Sequence, residues 1–222
     1  MAAFRTHFST GVVTGYLAAA ASVVAPLHVT PTTPFYIFCG TCVGSILPDL
    51  DSDHSTPFTI AFGVLSMLAG SLAFAFCVQH REMAAWRSWL WIPPLVALVV
   101  RHGVAKVFQK LTSHRGIFHS LPMMVIVTCI TALVLEPLHL KPTDALVISL
   151  SVGIGFLSHL ALDEIYSGVS LEGLVLGPKR SFGTALTLTS PSKVVTVITY
   201  LVLAALLFWN WGLIRHGLTA LK

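Results

Sequence analysis

Long apolar runs without charged side chains decide what this chain can fold into. One example, Leu121–Leu135, contains no charged residue. Of the 222 residues, 55% are hydrophobic and 10% are charged, whereas a soluble domain carries roughly a quarter charged residues. The runs are too long for barrel strands, and a backbone in lipid must satisfy its own hydrogen bonds. The sequence therefore predicts an all-α integral membrane protein.

Polar and proline-containing stretches divide the chain into about seven apolar segments. They cover about residues 8–27, 29–47, 57–78, 89–111, 116–136, 145–165 and 194–214. The second segment starts late because of Pro31 and Pro34, and Pro93-Pro94 should kink the fourth or leave it partly inserted. No stretch between segments is long enough for a soluble domain. We therefore predict one membrane-embedded helical bundle over residues 1–222, with one segment short or kinked.

Small residues at helical spacing indicate where these segments pack closely. Gly11-x-x-x-Gly15 lies in the first segment and Gly40-x-x-x-Gly44 in the second. Such spacing lets two helix backbones approach each other in a membrane. Cys39 and Cys42 have the spacing of a redox motif, but they lie in an apolar run without a soluble βαβ pattern. We interpret them as packing residues.

Four polar motifs interrupt the apolar background. They are His7, the stretch 47–53, the stretch 114–120 and the pair His159 and Asp163. If all seven segments cross the membrane, the N-terminus and the loops 48–56, 101–116 and 163–193 share one side, so the motifs can meet. That side also carries eight of the 13 lysine and arginine residues. The positive-inside rule then predicts that the motifs face the cytoplasm.

Two of these motifs combine histidines with helical or loop spacing. His159 and Asp163 are four residues apart, which places both on one face of a helix where they can hold one ion. His114 and His119 are five apart and cannot share a helical face. We therefore expect His114 on a loop and His119 near a helix start, converging on one point.

The third motif is a run of carboxylates. Asp49 and Asp51 flank Leu50 directly after Pro48, so in extended chain both would point the same way. Carboxylates crowded in this manner repel each other unless a cation neutralises them. Imidazole and carboxylate ligands together suit zinc, manganese or iron better than magnesium or calcium. The candidate ligands are His7, Asp49, Asp51, His114, His119, His159 and Asp163. They exceed one tetrahedral set, which favours one or two divalent transition metals with an open water position.

These motifs resemble those of the YdjM-like family of bacterial inner-membrane proteins, described as LexA-regulated, metal-dependent hydrolases. The resemblance rests on Leu47-Pro48-Asp49-Leu50-Asp51, His114-Arg115-Gly116-x-x-His119-Ser120-Leu121 and Ser158-His159-x-x-x-Asp163, together with an N-terminal histidine. The chain departs from the family pattern at Ser52, where the family has histidine. The resemblance implies a multi-pass protein of the bacterial inner membrane with metal-dependent hydrolase activity.

We therefore predict a hydrolase that acts at the cytoplasmic membrane interface through a metal-activated water. Asp53, or another aspartate that does not bind metal, would accept the proton of that water. The expected substrate is a membrane lipid or amphiphile with a phosphoester headgroup, since Arg115 could bind a phosphate oxygen in a bidentate contact. Lys179 and Arg180 could bind a second anionic group. A lipid amide or ester is the alternative substrate, and all three cations could instead contact bulk anionic lipid.

Two other functions stay open at this point. A metal or proton transporter would also use intramembrane histidine and aspartate, but it should hold them near mid-bilayer and often has inverted repeats. A non-catalytic membrane scaffold would use the polar cluster only to stabilise helix packing. The net charge of +4 is spread along the chain, which argues against nucleic-acid binding. Oligomeric state does not follow from the sequence.

Overall fold

The computed structural model describes residues 4–25, 29–51, 56–80, 88–111, 117–168 and 186–219, and nearly all of this backbone is helical. The only strand-like pairing among these residues is an isolated parallel bridge between Ser120 and Thr187. This confirms the predicted all-α class. The helices are α1 (Phe4–Val24), α2 (Thr33–Gly44), α3 (Thr56–Gln79), α4 (Ser88–Leu98), α5 (Ala105–Leu111), α6 (Leu121–Leu135), α7 (Pro142–Gly168), α8 (Lys193–Trp209) and α9 (Trp211–Thr219).

Each of the seven predicted segments corresponds to a helix or to a broken helix pair. Five helical stretches in the described residues are long and apolar enough to cross a membrane, and α8 with α9 makes a sixth if their 52° bend lies within one span. Helix α2 has 12 residues, or about 18 Å at 1.5 Å per residue, which is shorter than a ~30 Å hydrocarbon core. The five stretches are Phe4–Val24, Thr56–Gln79, Leu90–Gln109, Leu121–Leu138 and Pro142–Ser167.

The chain divides into two compact units. The first unit contains Met1–Pro48 and Arg115–Lys222, and the second contains Asp49–His114. In the second unit, Phe58, Phe62 and Ala105 form a buried cluster that joins α3 to α5. A π-helical turn at Val99–Val104 separates α4 from α5. The predicted kink in the fourth segment is therefore a local change of helical pitch after the two prolines.

Helix α7 is the centre of the first unit. Its side chains Phe156 and Leu160 are fully buried, and α1, α2, α6 and α9 all pack against it. Contact with α2 depends on glycine, because a Cβ at Gly44 would overlap the Val152 carbonyl oxygen. A Cβ at Gly155 would lie 2.8 Å from the Ser45 nitrogen. The second predicted small-residue motif therefore brings the α2 backbone directly against α7.

One buried carboxylate ties the start of α2 to the start of α7. Asp144 is buried and accepts hydrogen bonds from the Thr30 N–H at 2.9 Å, the Thr30 hydroxyl at 2.5 Å and the Thr33 hydroxyl at 2.9 Å. Its negative charge also lies at the N-terminus of α2, where the helix dipole favours an anion. From this point α2 runs along α7 towards His159, about 22 Å further along α7 at 1.5 Å per residue.

Replacing Asp144 with asparagine should lower the free energy of unfolding by about 1.5–3 kcal/mol, the value of a hydrogen bond to a charged acceptor. The amide NH₂ cannot accept the hydrogen bonds that the carboxylate oxygen now accepts. Denaturant unfolding of the purified protein in detergent measures the change. Glu136→Gln is the matched control, since Glu136 is exposed and its neutralisation should leave stability unchanged. Equal stability of the two variants would contradict a stabilising role for the hydrogen bonds to Asp144.

Candidate metal centre

His7 enters the bundle interior because of its place on α1. The buried residues of this helix are His7, Gly11, Gly15 and Ser22. They recur at four- and seven-residue spacing and so share one helical face. The two glycines let this face approach α2, as a Cβ at Gly11 would overlap the Ser45 hydroxyl. Close packing at the glycines thus buries the imidazole one turn earlier.

Helix α7 contributes a histidine and the central carboxylate. His159 and Asp163 lie one helical turn apart on the buried face, with the His159 Nε2 atom 3.8 Å from Asp163 Oδ2. Both side chains are at most 2% exposed. A carboxylate this deeply buried is expensive unless cations or hydrogen-bond donors surround it.

His119 is held by the structured start of α6. Ser120 caps this helix in an extended conformation, with its side chain accepting a hydrogen bond from the Met123 N–H at 3.3 Å. Thr187, which precedes α8 in the same chain, also holds this backbone in place. The Leu121 N–H donates to the Thr187 carbonyl, and the Thr187 hydroxyl donates to the His119 carbonyl. The helix cap and Thr187 together hold the backbone around His119, and the His119 ring is buried.

The three imidazoles surround the Asp163 carboxylate. His7 Nε2 lies 3.4 Å from Oδ1, and His119 Nε2 lies 3.9 Å from Oδ2. One ligand atom from each of His119, His159 and Asp163 lies within 4.8 Å of the other two. The His7 and His159 rings stack with centroids 3.7 Å apart and planes 11° apart. We call these four residues the His/Asp cluster.

The Ser45 carbonyl determines the tautomer of His159. This oxygen lies 2.7 Å from His159 Nδ1, and a carbonyl can only accept, so Nδ1 must carry the proton. In the neutral ring the Nε2 lone pair is then directed towards Asp163. Metal-binding histidines in proteins are commonly oriented by this kind of backbone contact. The Ser45 carbonyl therefore orients a candidate ligand. The sequence did not predict this contact, because every residue has a backbone carbonyl and no residue type marks this one.

The donor set fits a divalent transition metal. Two donors on one tetrahedral zinc, each about 2.0–2.1 Å from it, lie about 3.3–3.4 Å apart, close to the spacing of His7 and Asp163. These distances exceed the ~2.9 Å of an N–H···O hydrogen bond. In addition, the buried His7 Nδ1 has no hydrogen-bond partner among the described residues. The buried histidine and aspartate side chains could thus hold a metal ion.

The other predicted site residues belong to the second unit or lie outside the described residues. Asp49 is half-buried in the 3₁₀ turn Pro48–Asp51, where the second unit begins. Asp51 belongs to the same turn, and only its backbone is described. The residues outside the described ranges are Asp53, His114, Arg115, Lys179 and Arg180. Their predicted roles stay predictions.

A family model described as YdjM inner membrane protein matches residues 1–217 of this chain. The chain belongs to the YdjM inner membrane protein family. No curated protein and no solved structure matches it. The resemblance seen in the sequence motifs is thereby confirmed, and the family description agrees with the candidate membrane spans. In this YdjM-family chain, the matched residues include every member of the His/Asp cluster.

Proposed function

We propose that this YdjM-family protein is a metal-dependent hydrolase that acts on a lipid or amphiphile phosphoester at the cytoplasmic face of the membrane. The observation that carries the proposal is the arrangement of three buried imidazoles around the buried Asp163 carboxylate. His7, His119, His159 and Asp163 would hold the metal, and Asp49, Asp51 and His114 are further ligands proposed from the sequence. Zinc is the expected ion, with manganese or iron as alternatives.

The metal, when bound, would supply a Lewis acid that lowers the pKa of water and polarises the phosphoryl oxygen. The chain's own groups would do the rest. The Ser45 carbonyl holds the His159 Nδ1 proton and keeps the opposite nitrogen available as a ligand. Arg115 would bind a phosphate oxygen through its guanidinium, and Asp53 would accept the proton released as water adds to phosphorus. That proton would then pass to the departing alkoxide.

The position of the His/Asp cluster along its helices supports interfacial chemistry over transport. His119 precedes the first residue of α6, and His7 lies in the first turn of α1. Asp163 is five residues from the end of α7, about 8 Å at 1.5 Å per residue. The His/Asp cluster therefore lies nearer to the helix ends, where lipid headgroups are expected, than to the helix middles, where a transporter would hold its ligands.

The spacing of donor atoms supports a metal site over a cluster that only stabilises helix packing. In the His/Asp cluster, the imidazole nitrogens lie 3.4–3.9 Å from the carboxylate oxygens. Two donors on one tetrahedral zinc lie about 3.3–3.4 Å apart, whereas a direct N–H···O hydrogen bond is ~2.9 Å long. These contacts are therefore closer to the spacing of metal ligands than to that of hydrogen bonds.

Phosphoester hydrolysis should depend on both metal and Arg115. In nanodiscs, the zinc-loaded protein should release headgroup from synthetic phospholipids, lose this activity after chelation and regain it with zinc. Arg115→Lys should lower kcat/KM on the phosphoester by about 10- to 100-fold, because an ammonium cannot replace a bidentate contact worth ~1.5–3 kcal/mol.

Arg215→Lys, an exposed position on α9, is the matched control and should retain full activity. Lipid amide and ester substrates form the comparison set. Turnover of an amide or ester without phosphoester cleavage would overturn the substrate class but leave the metal centre. Activity that survives complete removal of metal would overturn the hydrolase mechanism itself.

A further inference from the structure

A groove follows the seam between α6 and α7 in the first unit. It consists of two neighbouring cavities of about 210 and 240 Å³ that share Val125, Thr128 and Leu150 in their walls. Gly153 lets the Thr128 hydroxyl approach the α7 backbone in the wall of the groove, because a Cβ at Gly153 would lie 2.5 Å from that oxygen. We call it the α6–α7 groove. Its wall residues extend from Met124 to Ala132 on α6 and from Leu146 to Leu157 on α7, and the larger cavity is also lined by Leu207, Asn210, Leu213, Ile214 and Leu218 from the end of α8 and from α9.

The groove faces the surface that these helices present to lipid. Leu150, Ile154 and Leu157 line it and are 45%, 44% and 40% exposed. Both α6 and α7 are candidate membrane spans, so these side chains meet hydrocarbon rather than water. A concave apolar seam at this depth suits a flexible chain better than a rigid polar molecule.

The polar side chains in the groove wall are satisfied within the protein. The Thr128 hydroxyl donates to the Met124 carbonyl at 2.9 Å, and the Ser149 hydroxyl donates to the Ala145 carbonyl at 2.7 Å. The Asn210 amide donates to the Leu206 carbonyl at 2.9 Å and the Cys129 carbonyl at 3.4 Å. Because these side chains donate their hydrogen bonds within the protein, the groove presents mainly hydrocarbon to its occupant.

The length and position of the groove match one leaflet. From Leu146 to Leu157 it extends about 16 Å along α7 at 1.5 Å per residue, close to half of a ~30 Å hydrocarbon core. Its upper end is six residues from Asp163, about 9 Å along the helix axis. An acyl chain in the groove would therefore place its headgroup on the side of the membrane where the His/Asp cluster lies.

We infer that the α6–α7 groove binds one acyl chain of the membrane lipid whose headgroup bond is cleaved at the His/Asp cluster. This inference rests on the proposed function for the choice of lipid, and on the groove's own walls for the choice of hydrocarbon. The groove would hold the substrate by its tail, so that the enzyme selects lipids over water-soluble phosphoesters. Lipids that merely surround the protein would contact the convex helix surfaces equally well.

The test uses phosphatidylglycerol with a photoreactive diazirine in one acyl chain, added to nanodiscs of phosphatidylcholine. Labelling of the wild type, mapped by peptide mass spectrometry, should be saturable and centred on groove residues. Leu150→Trp fills the section common to both cavities and should lower labelling about tenfold, since it displaces two or more buried methylenes. Ile154→Trp is the second groove variant and should also lower labelling. Val134→Trp, at a 67% exposed position of α6 outside the groove, should label within twofold of wild type.

Zinc content is measured on the same samples, so that the two proposals fail separately. Unsaturable labelling, or equal labelling of the groove and control variants, would mean that the probe reports only lipid surrounding the protein. Either result would overturn the acyl-chain site, and the zinc measurement would be unaffected. Saturable labelling of a protein that binds no zinc would overturn the proposed function and leave the acyl site standing. His159→Ala should keep the groove labelling, because the groove walls are intact.

Discussion

Replacing His159 with alanine is expected to abolish stoichiometric zinc binding. The change removes an imidazole ligand and, with it, the contact between Nδ1 and the Ser45 carbonyl. Loss of an outer partner alone typically lowers metal affinity about 10–100-fold, so loss of the ligand itself should exceed that range. Metal analysis of the purified protein and competition with a chromophoric chelator measure the effect, and hydrolytic activity should fall in parallel.

Histidines elsewhere provide the controls for this experiment. His139 follows α6 in an exposed left-handed position, and His216 is exposed on α9. Alanine at either position should leave zinc content and activity unchanged. A similar loss in all three variants would indicate general misfolding. Full zinc occupancy in His159→Ala would show that the His/Asp cluster is not the metal centre.

Alanine at Gly155 should weaken the centre without touching a ligand. Its Cβ would overlap the Thr41 carbonyl oxygen and approach the Ser45 nitrogen to 2.8 Å, and these backbone atoms cannot yield unless α2 moves as a whole. We expect the Ser45 carbonyl to withdraw from His159, with a 10–100-fold loss of zinc affinity. Overpacking of this kind should also lower the free energy of unfolding by about 1–3 kcal/mol.

Gly212→Ala is the matched control, because a Cβ at Gly212 meets nothing within 4 Å. It should retain both stability and zinc affinity. Chelator competition and denaturant unfolding are measured on both variants. If Gly155→Ala lost stability but bound zinc as tightly as wild type, the glycine would serve helix packing alone. The Ser45 contact would then have no part in metal affinity.

Much of the fold could be predicted because it depends on local features of the sequence. Uncharged runs too long for barrel strands satisfy their backbone hydrogen bonds in lipid as helices, and the predicted segments matched helices throughout the described residues. The four-residue spacing of His159 and Asp163 places them on one helical face in any α-helix. Small residues at four-residue spacing in α1 and α2 likewise predict close helix packing from the sequence alone.

Other features depend on contacts between residues far apart in the chain, and only the tertiary structure decided them. Helix α2 is too short to span a membrane alone, yet hydrogen bonds to Asp144 hold its start and the Ser45 carbonyl at its end contacts His159. A backbone carbonyl is present at every residue, so no pattern marks the one that orients a histidine. The meeting of His7, His119 and Asp163 likewise needs α1, α6 and α7 to pack at defined depths. Side-chain periodicity determines which face of a helix is buried, whereas the close approach at glycines determines what that face meets.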